Sequence, residues 1–165
     1  MSKAVMLSIR PKWVEKIANG EKTIEVRKTK PKLKTPFKCY IYCTLPKYPH
    51  EDFIATNYPM PQFYGGGKVI GEFTCDRIDR LAPANEPYGI YDIDDDYVLQ
   101  TCLENGALWD YGHGTPLYGW HISDLLIYDQ PRELSEFTGL RTFKGGFELR
   151  KIDRPPQSWC YVEEG

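Results

Sequence analysis

The sequence predicts an α+β domain: a small mixed sheet or barrel of about six strands with two or more short helices. Three observations predict it. Short apolar runs with strand character outnumber helical patterns along the chain. These runs mostly follow one another instead of alternating with helices, which argues against a doubly wound fold. The 165 residues, 41% hydrophobic and 27% charged, suit one globular domain with enough core to fold without staples. Residues 1–165 are therefore read as a single domain.

The elements follow in order. Residues 4–9 form a buried strand, with Val5, Leu7 and Ile9 facing one way and Met6 and Ser8 the other. Pro11 suits a helix N-terminus, Trp13, Val14, Ile17 and Ala18 make an apolar stripe, and Asn19-Gly20 stops the helix. Core packing is the favoured role of Trp13. Residues 22–28 alternate, with Ile24 and Val26 toward the core and Thr23, Glu25 and Arg27 opposite. Residues 29–36 form a basic, proline-broken loop. Residues 37–44 are a strand, with Cys39, Ile41 and Cys43 opposite Tyr40 and Tyr42.

Residues 45–66, rich in Pro, Tyr and Gly, read as a long ordered loop. Residues 67–81 are the longest strand run, and Gly71 within it marks a bulge or corner. Residues 94–105 form a second helix, from Asp94 to an Asn105-Gly106 stop. Residues 117–122 and 125–128 are strands split near Ser123-Asp124. Residues 134–150 give no definite pattern. Residues 158–163, after Pro155-Pro156, are the last strand.

Composition narrows the function classes. No run approaches the roughly 18 apolar residues of a membrane helix, and the first residues carry no signal-peptide pattern, so a cytoplasmic protein is expected. The five cysteines are odd in number and lack C-x-x-C spacing, which argues against disulfides and a zinc knuckle; Cys39 and Cys43 read as core residues. No metal or cofactor is expected. Residues 1–48 carry 12 Lys and Arg against 3 Glu, whereas the remainder carries net −11. A basic first third on a weakly acidic chain points to a local anion-facing surface; its alternative is a solvated loop of Lys28, Lys30, Lys32 and Lys34.

The chemistry concentrates in Gly20-Glu21-Lys22-Thr23-Ile24-Glu25-Val26-Arg27. Glu25 and Arg27 share a strand face, and Lys22 can swing toward it. Arg offers paired donors to phosphate or a base edge, Lys can act as a base when buried, and Glu can accept an exocyclic amine. The alternative is an exposed ion pair worth at most about 1 kcal/mol.

The segment Leu7-Ser8-Ile9-Arg10-Pro11-Lys12-Trp13, followed by Gly20-x-Lys22-x-x-Glu25-x-Arg27, resembles the ASCH domains of the PUA-like superfamily. Tyr118–Leu125 and Arg154–Tyr161 resemble a bacterial and phage subgroup of that family. The resemblance implies a PUA-like β-barrel with a cleft between the motif strand and the first helix. It implies binding of RNA, a nucleotide or a modified base, with Ser8, Lys12, Lys22, Glu25, Arg27, Tyr40, Trp120 and Trp159 as ligand-binding residues. Stacking on such aromatics is worth roughly 1–3 kcal/mol per base. Many members of the subgroup carry a Cys-rich insertion before this last segment; residues 138–150 here have no cysteine.

The resemblance also implies an enzyme alternative, with Lys22, Glu25 and His121 as catalytic residues. One form is an amidohydrolase acting on N4-acetylcytidine-type nucleosides. In that pattern a nucleophilic Thr takes the position held here by Glu25. The other form is a metal-independent ribonuclease. A third reading is a protein-interaction module that docks through the acidic portion of the chain.

Overall fold

The computed structural model describes residues 2–45 and 66–165. Strands β1 (Lys3–Ile9), β2 (Ile24–Arg27), β3 (Phe37–Cys43), β4 (Lys68–Leu81) and β5 (Leu117–Arg132) are followed by β6 (Thr138–Phe143), β7 (Gly146–Lys151) and β8 (Trp159–Glu163). Helix α1 (Pro11–Ala18) follows β1, and α2 (Asp95–Thr101) and α3 (Asn105–Gly112) lie between β4 and β5. All eight strands join one sheet in the order β2-β5-β4-β3-β1-β8-β6-β7. The expected loop at 45–66 lies outside the described residues apart from Leu45 and Gly66.

This corrects the expected barrel of about six strands. The sheet is open, with β2 and β7 as its edges. The additional strands, β6 and β7, form a hairpin within the stretch whose sequence had no definite pattern. They extend the sheet past β8, where β6 makes a single bridge, Gly139 to Val162. The α+β class and the mixed pairing hold: β1 and β3 run parallel, and their other neighbours antiparallel.

Alternation in β1 and β3 supplies two cores, one on each face. Val5, Leu7, Ile9, Cys39, Ile41 and Cys43 pack with Val14 and Ile17 of α1 and with Trp120. Ala4, Met6, Tyr40 and Tyr42 pack on the other face with Val69, Phe137 and Val162. Strands buried on both faces read as continuous apolar runs, as these do. Gly71 sits where the registers with both β3 and β5 shift, and an added Cβ would stand 2.5 Å from the Leu126 carbonyl. Asp124, at φ +48, marks the expected split, yet β5 runs through it unbroken.

The helical region differs from expectation in number. The second helix ends at Thr101, because Cys102 takes a left-handed φ of +57 and caps it. A separate α3 begins at Asn105, where a stop was expected. The two helices cover a third cluster of Ile24, Val26, Leu81, Tyr91, Leu108 and Leu117. Among the described residues, no helix is long and apolar enough to cross a membrane.

Candidate functional site

β2 is an edge strand, yet all four of its residues are buried. Its apolar face, Ile24 and Val26, lies in the cluster with Leu108 and Leu117, and its polar face looks into the curved sheet. In the register with β5, Glu25 stands opposite Trp120 and Arg27 opposite Tyr118. Lys22, Glu25 and Arg27 are 2%, 6% and 9% exposed, which excludes the alternative of a solvated ion pair.

The local chain explains the placement of Lys22. Gly20, at φ +83, turns the chain after α1, and Lys22 N–H then donates to the Lys16 carbonyl at 3.0 Å. Thr23 N–H donates to the Gln100 carbonyl, tying this turn to α2. The Lys22 Nζ donates to the Thr101 carbonyl at 2.5 Å, lies 3.8 Å from Glu25 Oε1 and sits over the Trp13 ring. Burial pushes the Lys22 amine below its ordinary value; Glu25 opposes that shift without cancelling it.

Arg27 is the most heavily committed group. Its Nη1 donates to the carbonyl and the hydroxyl of Ser158, each at 3.1 Å. Its Nη2 donates to the Ser8 carbonyl at 2.8 Å and to Glu25 Oε2 at 3.4 Å. Ser8 and Ser158 are joined by a backbone bond, and Ser8 Oγ donates to the Pro156 carbonyl at 2.6 Å. The guanidinium thus fastens the β2 edge to β1 and to the approach of β8, where no backbone ladder pairs them. Glu25 Oε1 accepts from Val26 N–H, so both carboxylate oxygens are engaged.

These groups face a cleft of ≈ 790 Å³. Among the described residues its charged lining is Arg10, Lys22, Arg27 and Lys28 against Glu25 alone. Trp13 from α1 and Tyr111 from α3 provide aromatic surface, and Ser8, Thr29, Thr44 and Ser158 provide hydroxyls. Lys28 Nζ lies 4.9 Å from the centre of the Tyr111 ring. The arrangement can hold a flat, polar, anionic molecule: aromatic faces beside it, cations around it, and a buried amine–carboxylate pair beneath.

The cleft contains Ser8, Lys22, Glu25 and Arg27 of the residues singled out from the sequence. Lys12 is exposed and reaches the cleft only through its contact with the Trp13 ring at 4.6 Å. The other expectations need correction. Tyr40 is fully buried in the opposite core, against Phe137, with its hydroxyl bonded to Gly165. Trp120 is fully buried behind Glu25. Trp159 packs on Trp120 and donates to Thr29 Oγ1 at 2.8 Å, outside the cleft lining.

His121 follows Trp120 on β5 and so points to the other face of the sheet. There its Nε2 lies 2.6 Å from Asp79 Oδ2, which also accepts from the Tyr97 hydroxyl and from Arg77. This cluster pins α2 to the sheet and does not meet the cleft.

Sequence reasoning missed Tyr111, because α3 was hidden behind an apparent helix stop. It missed the Thr101 carbonyl, which no side-chain motif can announce. Trp13 carried the right signal, a helix-face aromatic beside the motif, but is half-buried in the cleft wall.

No protein-family model and no curated protein matches the chain. Solved structures do. The crystal structure of ASCH from Zymomonas mobilis is 19% identical, over 98% of this chain and 88% of that one, with a TM-score of 0.56. Two single-substitution mutants of the same protein are each 18% identical. One alignment covers 99% of this chain and 92% of the other at TM-score 0.54; the second covers 98% and 89% at 0.53. The chain therefore has the ASCH fold along nearly its whole length.

Proposed function

We propose that this chain is an ASCH-domain protein whose cleft binds a nucleotide unit, free or within RNA, including one with a modified base. The observation that carries the reading is the buried Lys22–Glu25 pair at the floor of a cleft with a cationic rim and two aromatics. In this reading Arg10 and Lys28 meet phosphate, and Trp13 and Tyr111 offer faces for stacking. Lys22 donates to a base acceptor while Glu25 accepts from a base amine. Arg27 is a positioning residue: its donors already hold Ser8, Glu25 and Ser158. The ASCH fold of the solved structures agrees with the reading without supplying a ligand.

The test is thermal shift with ribonucleoside and ribonucleotide panels. A ligand at about 100 times its Kd stabilises by roughly 2.7 kcal/mol. A stabilising nucleotide whose effect disappears in Lys22→Met supports the reading. No response from any nucleotide or short RNA refutes it.

One observation favours a second reading, a hydrolase in the same cleft. Burial lowers the Lys22 amine, which raises its neutral fraction and suits it to take a proton from a nucleophile. A rate that climbs with pH and vanishes in Lys22→Met supports turnover. Equal, background-level product from wild type and variant on nucleoside-amide and RNA substrates removes it.

A further inference from the structure

A second concave surface lies beside the cleft. It is a groove of ≈ 690 Å³ between the β6–β7 hairpin and residues 152–157. Its charged lining is Arg141, Arg150, Lys151 and Arg154 against Asp153. Arg141 is shared with Glu148 at 3.9 Å. Arg150, Lys151 and Arg154 are exposed and make no ion pair among the described residues. Three such cations on one concave surface repel one another, and no hydrogen bond or ion pair among the described residues engages their side chains. The chain as a whole carries net −2, so this concentration is local.

The groove and the cleft are adjoining parts of one surface. Gln157 lines both. The run Arg154–Gln157 walls the groove, and Gln157-Ser158 walls the cleft, so this segment is the saddle between them. Tyr161 also lines the groove, and its hydroxyl accepts from Lys32 N–H at 2.8 Å. The loop bearing Lys28, Lys30, Lys32 and Lys34 therefore flanks the same surface. Cations are found from Arg10 and Lys28 at the cleft, through this loop, to Arg154 on the connecting segment and Arg150 on the hairpin.

We propose that the groove is a second binding site, for the sugar-phosphate backbone of a single-stranded nucleic acid whose neighbouring nucleotide sits in the cleft. The proposal rests on the nucleotide reading of the cleft and extends it from one nucleotide to a strand of several. A charged track beside an aromatic cleft is what a flexible strand with splayed bases needs. A duplex keeps its bases stacked and has no use for the cleft. An acidic peptide matches the charge but leaves the adjoining aromatics without a role.

The test uses the full chain, each of the four ribonucleoside monophosphates and a labelled random-sequence RNA octanucleotide, followed by anisotropy and competition. The octanucleotide binds at least about tenfold tighter than the best mononucleotide, because it adds phosphate contacts. Arg150→Ala/Lys151→Ala/Arg154→Ala, three exposed positions, removes that gain and leaves mononucleotide affinity unchanged. The variant also flattens the plot of log affinity against log salt by about 2, at roughly 0.7 per lost contact. The same gain with an octadeoxynucleotide supports the proposal equally, since the groove addresses the backbone.

Equal affinity for mononucleotide and octanucleotide overturns the groove and leaves the cleft standing. So does an octanucleotide gain that survives in the triple variant. Displacement of the octanucleotide by polyglutamate at equal concentration overturns the proposal in favour of an acidic peptide. Failure of every nucleotide and oligonucleotide to bind overturns both the groove and the cleft reading.

Discussion

Replacing Arg27 with Met tests whether the guanidinium is a clasp or a ligand hand. Methionine keeps much of the volume and removes all four donations, to Ser158 O and Oγ, to Ser8 O and to Glu25 Oε2. Glu25, 6% exposed, then keeps Val26 N–H and the Lys22 cation at 3.8 Å but loses the nearer of its two buried cations, at 3.4 Å. Breaking a buried pair by removing one partner costs about 3–5 kcal/mol. At about 2.1 cal/mol/K per residue the unfolding entropy of this chain is about 0.35 kcal/mol/K, so Tm falls by about 9–14 °C.

Urea denaturation of the wild type, Arg27→Met, Glu25→Gln and the double variant reads the effect directly. Glu25→Gln removes the charge while keeping an acceptor for Val26 N–H. The double variant should recover part of the loss, giving a coupling of about 1–3 kcal/mol. An Arg27→Met loss below about 1 kcal/mol, the worth of an exposed pair, refutes the reasoning, and so does strict additivity.

Three further predictions follow from the same geometry. Because burial lowers the folded-state Lys22 value, the unfolded chain binds more protons between that value and the ordinary one, and stability rises with pH there. Urea denaturation at several pH values up to about 10 should show this alkaline rise in the wild type and not in Lys22→Met; parallel profiles contradict it. Tyr111→Ala, at a position 37% exposed, should weaken nucleotide affinity by about 1–3 kcal/mol in titration while barely moving Tm; unchanged affinity removes Tyr111 from the site. Gly119→Ala would drive a Cβ into the Tyr97 hydroxyl and loosen α2 from Asp79. It should destabilise by about 1–3 kcal/mol, and, since α2 carries the Thr101 carbonyl that holds Lys22, it should also weaken nucleotide binding. Wild-type denaturation and titration curves would contradict this.

Much of the fold was legible because its signals are local. The alternation in β1 and β3, Pro11 at the start of α1, Gly20 after it and Gly71 at the bulge each act within a few residues. What stayed hidden depends on tertiary context. The hairpin of β6 and β7 is largely exposed, so its residues carry no inward–outward contrast for a pattern to detect. The stop at Cys102 is a left-handed cysteine, not the glycine or asparagine that usually marks a helix end. In β2 the alternation was read correctly, but its polar face turns inward. Helices α2 and α3 cover the apolar face instead, and no local rule says which side a covering helix will take.

The same ambiguity explains the site. Lys22, Glu25 and Arg27 were identifiable as a group, but their division of labour was not, because it is set by partners distant in sequence. Arg27 is held by Ser8, 19 residues away, and by Ser158, 131 residues away. Those bonds lie at the seam where the curled sheet fails to close. A backbone ladder there would fill the space that the cleft occupies. A side-chain clasp ties β2 to β1 and the approach of β8 at one point and leaves the rest of the seam open. It also occupies both Nη groups of Arg27, so in the proposed reading recognition passes to Lys22 and to the rim cations Arg10 and Lys28, which make no ion pair among the described residues. A cluster that looks from sequence like three equivalent ligand contacts is thus one fastener, a carboxylate that it holds, and an amine held from α2 by the Thr101 carbonyl.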